Sequence, residues 1–208
     1  YTSDFSGSSC FRVQWEGCGK GRNVAGFHVQ YKVGMEGGWQ NWLTDTPEKS
    51  GQFPGAGGHT YYFRVRARDE LGNWGNWSGE GFAVVPVDDR SPLVHYEGRW
   101  DVSGNEESYL QTLHHSETTG AAVSLRFAGW EAALVSTCGP DRGQAHVYID
   151  GALQTTVDLY SEEYAFRRKV FTASLDGKPH TIRVEVAGTK NPLSAGYRVD
   201  IDGFAVKS

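Results

Sequence analysis

Residues 145–161, AHVYIDGALQTTVDLYS, constrain the second half of the chain more than any other stretch. Val147 and Ile149 share one face of a first alternating run, and Val157 and Leu159 share one face of a second. Apolar residues at every second position mark a half-buried strand. Asp150-Gly151 between the two runs suits a two-residue turn, because both central residues of such a turn need positive φ. The stretch therefore predicts a β-hairpin, and around it an antiparallel β-sandwich.

The rest of the chain agrees with an all-β fold. It holds 27 glycines in 208 residues, together with 10 Tyr, 10 Phe and 7 Trp. Tight turns and aromatic strands use that composition. No window of ~12 residues shows capped i, i+3, i+4 apolar periodicity, so almost no helix is expected. The net charge of -5 carries no basic stripe, which argues against nucleic acid as a partner. No run of ~18 apolar residues is present to span a membrane. The sequence starts at Tyr1 without an initiator Met or leader, so a fragment of a larger, exported polypeptide is expected. Cys10, Cys18 and Cys138 match no zinc spacing and no C-x-x-C. If residues 10–15 form a strand, its length of about 16 Å separates Cys10 from the turn holding Cys18, whereas a disulfide needs Cα atoms within ~7 Å. A Cys10–Cys18 bridge is not expected.

Residues 1–9 are small and polar, a poor start for a core. Beyond them Phe11, Val13 and Trp15 alternate, as do Phe27, Val29 and Tyr31, and then Tyr61, Phe63, Val65 and Ala67. About six short strands at roughly ten-residue spacing read as an immunoglobulin-like sandwich. Phe11-x-Val13-x-Trp15, Gly26-Phe27-x-Val29-x-Tyr31 and the run from Gly58 to Ala67 resemble a fibronectin type III domain, here covering residues 1–88 with a weak or missing first strand. The resemblance implies a buried Trp15 and a Tyr61 hydroxyl bonded back to the backbone near the preceding turn. On the other face Arg64, Arg66 and Arg68 lie within reach of Trp74 and Trp77. Stacked guanidinium and indole groups would stiffen that surface, with a ligand platform as the competing role. Asn76-Trp77-Ser78 is a glycosylation sequon, which matters only in a eukaryotic secretory host. Residues 87–92, Val-Asp-Asp-Arg-Ser-Pro, read as a short charged link between two domains.

In the second half, strands are expected over residues 109–113, 121–127, 131–135, 168–173 and 180–186 besides the hairpin. Val199, Ile201, Phe204 and Val206 close the chain, and the alternation breaks at Asp202-Gly203, where a bulge or irregular turn is expected. Eight or nine strands in this length suit a jelly roll. Tyr96-Glu97-Gly98-x-Trp100, Gly139-Pro140-Asp141-Arg142-Gly143, Val147-Tyr148-Ile149-Asp150-Gly151, His180-Thr181-Ile182-Arg183-Val184 and the run from Arg198 to Phe204 resemble, in that order, the galactose-binding-like jelly rolls of bacterial secreted hydrolases, many of them carbohydrate-binding modules. The resemblance covers most of residues 93–208.

Catalytic motifs are missing from the sequence: there is no G-x-S-x-G, H-E-x-x-H or phosphate-cradling glycine loop. His114 and His115 are adjacent, and neighbours in a strand point to opposite faces. Asp200-x-Asp202-Gly203 has part of a calcium loop but lacks the distal Glu. The jelly-roll resemblance implies a structural calcium held by Glu97 and Asp202 with backbone carbonyls, although Gly98 replaces a second acidic residue that many relatives carry. Sugars stack their C–H faces on aromatic rings and bond through hydroxyls to Asn, Asp, Arg and His. Trp100, His115, Arg142, Tyr160, Asn191 and Tyr197 are the candidates near expected loops. Core packing is the competing role for each aromatic. Ligand contacts are expected in the loops around residues 140–143, 160–166 and 190–197, with Tyr160 the one candidate at the exit of the hairpin.

The chain is thus expected to be a non-catalytic fragment of a secreted or cell-surface bacterial protein. A fibronectin-like spacer would hold a jelly roll that binds carbohydrate or a cell-surface glycan. The alternative is an adhesive module with a protein or cell-wall partner and no sugar pocket.

Overall fold

The computed structural model describes residues 9–17 and 23–208. Cys18, and all of the polar start except Ser9, lie outside the described residues. The chain divides into two compact units, Tyr1–Val85 and Pro86–Ser208.

The first unit is a β-sandwich. Strands β1 (Cys10–Gln14), β2 (Val24–Val33), β3 (Gln40–Thr46), β4 (Ser50–Pro54), β5 (His59–Asp69) and β6 (Gly81–Val85) form two antiparallel sheets, ordered β1-β4 and β3-β2-β5-β6. Alternation in β1 and β5 puts Phe11, Val13, Tyr61 and Phe63 on inner faces. They meet Phe53, whose ring lies 4.9 Å from Tyr31, 5.0 Å from Phe63 and 5.1 Å from Trp42. Tilted and edge-on pairs of this kind add ~0.5–1.5 kcal/mol each beyond burial. Trp15 is buried beside Phe27, and its indole N–H donates to the Glu48 carbonyl. The Tyr61 hydroxyl accepts a hydrogen bond from the Ala56 amide at 2.8 Å, the backbone tie expected of that tyrosine.

On the outer face the expected stack is longer than the sequence suggested. Lys32 lies over Trp39 at 5.0 Å, Arg64 between Trp39 (4.2 Å) and Trp77 (4.6 Å), and Arg66 between Trp77 (4.7 Å) and Trp74 (4.9 Å). Arg68 closes the row against Trp74 and pairs with Asp45. Trp39, distant in sequence, joins because β2 pairs with both β3 and β5.

The second unit is also an antiparallel sandwich. Its strands are β7 (Val87–Asp88), β8 (Val94–Glu97), β9 (Asp101–Gly104), β10 (Thr112–Ser116), β11 (Ala122–Ala128), β12 (Glu131–Cys138), β13 (Gln144–Ile149), β14 (Ala152–Asp158), β15 (Ala165–Ser174), β16 (Pro179–Val186), β17 (Val199–Ile201) and β18 (Gly203–Lys207). They form sheets ordered β14-β13-β16-β11-β8, β15-β12-β18-β7 and β17-β10-β9. Val123, Leu125, Val147, Ile182 and Val184 from the first sheet meet Leu134, Phe204 and Val206 from the second and Val199 and Ile201 from the third in one core. The hairpin is as expected: Ile149 pairs with Ala152, and Asp150 and Gly151 turn with φ of 51° and 80°.

Three expectations change. The link at residues 87–92 belongs to the second unit, because Val87 and Asp88 pair with Phe204 and Gly203. Asp89, charged and therefore surface-like in sequence, is fully buried; its carboxylate accepts from Thr112 at 3.0 Å and from His114 Nδ1 at 2.7 Å. The strand expected over 109–113 begins with a 3-10 turn, Tyr109–Gln111, in which Leu110 and Gln111 take positive φ. The break at Asp202 is where the chain leaves one sheet for another, between β17 and β18. A Cβ on Gly203 would stand 2.5 Å from the Val87 carbonyl oxygen, so only glycine lets β7 close on β18.

Candidate functional site

A cleft of about 300 Å³ opens in the second unit, lined by Ser103, Asn105, Leu113, Asp141, Arg142, Tyr164, Phe166 and Arg198 among others. It is assembled from the bottom by Asp200. This residue sits on β17 and is fully buried. A buried carboxylate is costly unless charged donors saturate it. Here Oδ2 accepts from Arg142 Nε at 2.8 Å and from its Nη2 at 2.6 Å, while Oδ1 accepts from Arg198 Nε at 2.7 Å. One carboxylate therefore fixes two guanidinium groups. Asp141 takes the remaining terminal nitrogen of Arg142.

The backbone of Arg142 is held as firmly. The Gly143 amide donates to the Arg198 carbonyl at 2.8 Å, and the Ser194 hydroxyl donates to the Arg142 carbonyl at 2.7 Å. The Ala195 amide donates to the Pro140 carbonyl. The loops around 140–143 and 190–197 thus brace each other. The third expected loop supplies the aromatic wall: Tyr164 and Phe166 stack nearly parallel, 6.0 Å apart and 15° from coplanar. Tyr164 lies against Arg142 at 5.3 Å from ring centre to guanidinium and is half exposed. Its ring also covers Gly139, where a Cβ would stand 2.5 Å from Tyr164 Cδ1. An exposed aromatic face next to immobilised polar groups is what a ring of mixed C–H and hydroxyl character requires.

The structure brings one of the six ligand candidates into the lining of this cleft. Arg142 forms its wall. His115 stands behind Ser103, with Nδ1 3.1 Å from the Ser103 hydroxyl; burial lowers its pKa, Arg198 and Arg142 add to the shift, and Asp200 and Asp101 oppose it. His114 has the separate partner Asp89, on the other face of β10. The other four candidates do not line the cleft either. Trp100 packs against the core, and its indole N–H donates to the carbonyls of Glu97 and Ala122. Asn191 donates to Asp158 at 2.8 Å, and the Tyr160 amide donates to the same carboxylate. Tyr197 is exposed beneath the Lys190 ammonium, 4.8 Å from its ring.

Sequence reasoning missed Ser103, Asn105, Asp141, Tyr164, Phe166 and Arg198 as lining residues, and Asp200 as the buried carboxylate beneath them. Tyr164 and Phe166 lay within a loop already singled out, whereas nothing local marked Ser103 or Asn105.

The two carboxylates expected to share a calcium ion have separate surroundings. Glu97 is exposed and pairs with Arg183 at 2.9 Å. Asp202 is fully buried; its Oδ1 accepts from the Tyr109 amide at 2.8 Å and its Oδ2 has no partner. Burial pushes its pKa up to about 7, with Asp89 and Asp200 adding and the Tyr109 amide and Arg167 opposing. Among the described residues no three His, Cys, Asp or Glu side chains are grouped to hold one ion. No helix among the described residues is long and apolar enough to cross a membrane.

No protein-family profile matches the chain. Two enzymes of Flavonifractor plautii are similar to part of it. An A type blood N-acetyl-alpha-D-galactosamine deacetylase is 31% identical over 100 residues, which is 48% of this chain and 13% of that enzyme. An A type blood alpha-D-galactosamine galactosaminidase is 31% identical over 98 residues, 47% of this chain and 9% of that enzyme. The similar region is thus a small piece of either relative. Among solved structures, a family 35 carbohydrate binding module from Clostridium thermocellum aligns over 58% of this chain and 96% of its own, at 13% identity and a TM-score of 0.38. A two-domain esterase active on acetylated mannans, co-crystallised with mannopentaose, aligns over 60% of this chain and 37% of its own, at 11% identity and a TM-score of 0.45.

Proposed function

We propose that the second unit is a non-catalytic carbohydrate-binding module of the galactose-binding-like jelly-roll type, that the cleft is its sugar site, and that the first unit is a fibronectin-like spacer. The observation that carries the reading is the pairing of a stacked aromatic wall, half-exposed Tyr164 and partly buried Phe166, with polar groups locked in place by Asp200. Pre-fixed donors spare a ligand the entropy of ordering them. The two carbohydrate-active relatives, each far longer than the chain, support an accessory role within a larger secreted bacterial enzyme.

Glycan-array binding by the 208-residue chain, followed by the same measurement on Tyr164→Ala, tests the proposal. Wild type binds a glycan and Tyr164→Ala loses at least about tenfold, on the scale of one aromatic contact. Asn191→Ala, which does not line the cleft, leaves binding intact. Binding that survives Tyr164→Ala overturns the cleft as the site. A wild-type chain that binds no glycan but captures a protein or cell-wall fraction overturns the carbohydrate reading.

A further inference from the structure

We infer that the cleft selects an anionic saccharide, whose carboxylate or sulfate oxygens are received on the open edge of Arg198. The inference rests on the carbohydrate reading and deepens it.

Hydrogen-bond capacity in the cleft is lopsided. Among the described residues Arg198 uses only Nε, which it gives to Asp200, and its two terminal nitrogens meet no acceptor. Asn105 spends its carbonyl oxygen on the Glu107 amide, and its NH₂ group has no partner among the described residues. Against these donors the lining offers one carboxylate oxygen without a partner, on Asp141, whose other oxygen is taken by Arg142. Formal charge cancels, two guanidinium groups against Asp141 and Asp200. The directions do not cancel, because Asp200 is turned wholly inward and is fully buried. Just outside, Glu162 and Glu163 precede the aromatic wall and Arg167, Arg168 and Lys169 follow it.

A guanidinium held by Nε presents its far edge as a planar pair of parallel N–H donors. That edge matches two oxygens of a carboxylate or sulfate bidentately, and such charge-assisted bonds are about twice as strong as neutral ones. Asp200 orients the edge in advance, so little side-chain entropy is lost when a ligand arrives. Neighbouring hydroxyls of a neutral sugar can meet the same two donors, but without the charge that strengthens each bond. Arg198 is therefore the specificity residue, and Tyr164 supplies stacking that is indifferent to charge.

The test is an NMR titration of the full chain with three sugars that share one ring and differ only at C6: methyl galactoside, methyl galacturonide and methyl galactoside 6-sulfate. The expected result is roughly tenfold tighter binding of an anionic sugar than of the neutral one, the effect of one added charge-assisted pair. Which of the two anions binds tighter identifies carboxylate or sulfate as the group received. The preference shrinks as salt is raised. Arg198→Gln levels the three affinities without abolishing neutral binding, and Arg198→Lys retains part of the preference. Should Arg198→Gln fail to fold, Arg198→Lys and the salt dependence of wild type carry the test. Equal affinity of wild type for all three sugars overturns the anion inference and leaves the carbohydrate reading standing, as does a preference untouched by either variant. Silence of the cleft signals to all three sugars, together with a blank glycan array, overturns both.

Discussion

Replacing Asp202 with Asn should stabilise the second unit at pH 8 and do little at pH 4.5. Asp202 is fully buried, has one amide partner, and leaves Oδ2 unsatisfied. Burial raises its folded pKa to about 7, from 3.8 when solvated. The sign follows from proton linkage. A carboxyl whose folded pKa is raised contributes its stability in full below the unfolded value, because the buried neutral acid is tolerated. That contribution is lost as pH rises through the folded value, where the fold must hold a desolvated charge. The gap between 3.8 and about 7 corresponds to an upper bound of roughly 4 kcal/mol between pH 4 and pH 8. Asparagine keeps the acceptor for the Tyr109 amide and cannot ionise. Differential scanning calorimetry of wild type and Asp202→Asn across this range isolates the term from all other carboxylates. The stability difference should grow with pH by about 2–4 kcal/mol, several degrees in the melting temperature of a unit this size. Parallel pH profiles would refute the assignment of a strained buried acid. A millimolar calcium titration on the same samples separates a second explanation: a wild-type Tm that rises with calcium, and an Asp202→Asn Tm that does not, would make Oδ2 a metal ligand.

Two other perturbations report on the fold of the second unit. His180 places Nδ1 2.7 Å from Asp150 and Nε2 2.9 Å from Asp176, tying the β13–β14 turn to the β15–β16 turn. The Asp150 hydrogen bond raises its pKa, with burial opposing and Asp176 adding, so the clasp stabilises below about pH 6.5 and is lost as pH rises through the folded value. His180→Gln should therefore lower the melting temperature at pH 5.5 more than at pH 9, and an equal drop at both values would mean the ring packs without bridging. Gly203→Ala pushes a methyl toward the Val87 carbonyl and should release β7, detected as loss of amide-exchange protection at Val87 and Phe204 with the hairpin amides unchanged.

Legibility depended on how far apart the cooperating residues lie. Ile182, Val184 and Val186 alternate in a single run, and all three are buried. Asp150-Gly151 fixes its own turn. These are properties of neighbours, so a sequence displays them. Trp74, Trp77 and the three arginines were readable for the same reason, while Trp39 entered the stack only through strand pairing. Candidates chosen by residue type alone separated on folding. Trp100 went to the core edge and Asn191 to Asp158, because each found backbone or carboxylate partners that no local pattern reveals.

The sequence by itself determined the antiparallel sandwiches and the hairpin. Periodicity and turn chemistry act within a few residues and so survive in one dimension. Only the tertiary structure decided which side chains meet. Asp200 draws together Arg142 and Arg198, Gly139 gives Tyr164 its seat, and β9 carries Ser103 toward His115. Those pairings follow from burying one carboxylate and satisfying it. A buried charge takes its donors from wherever the sheets place them, and sheet order is set by the packing of the whole core.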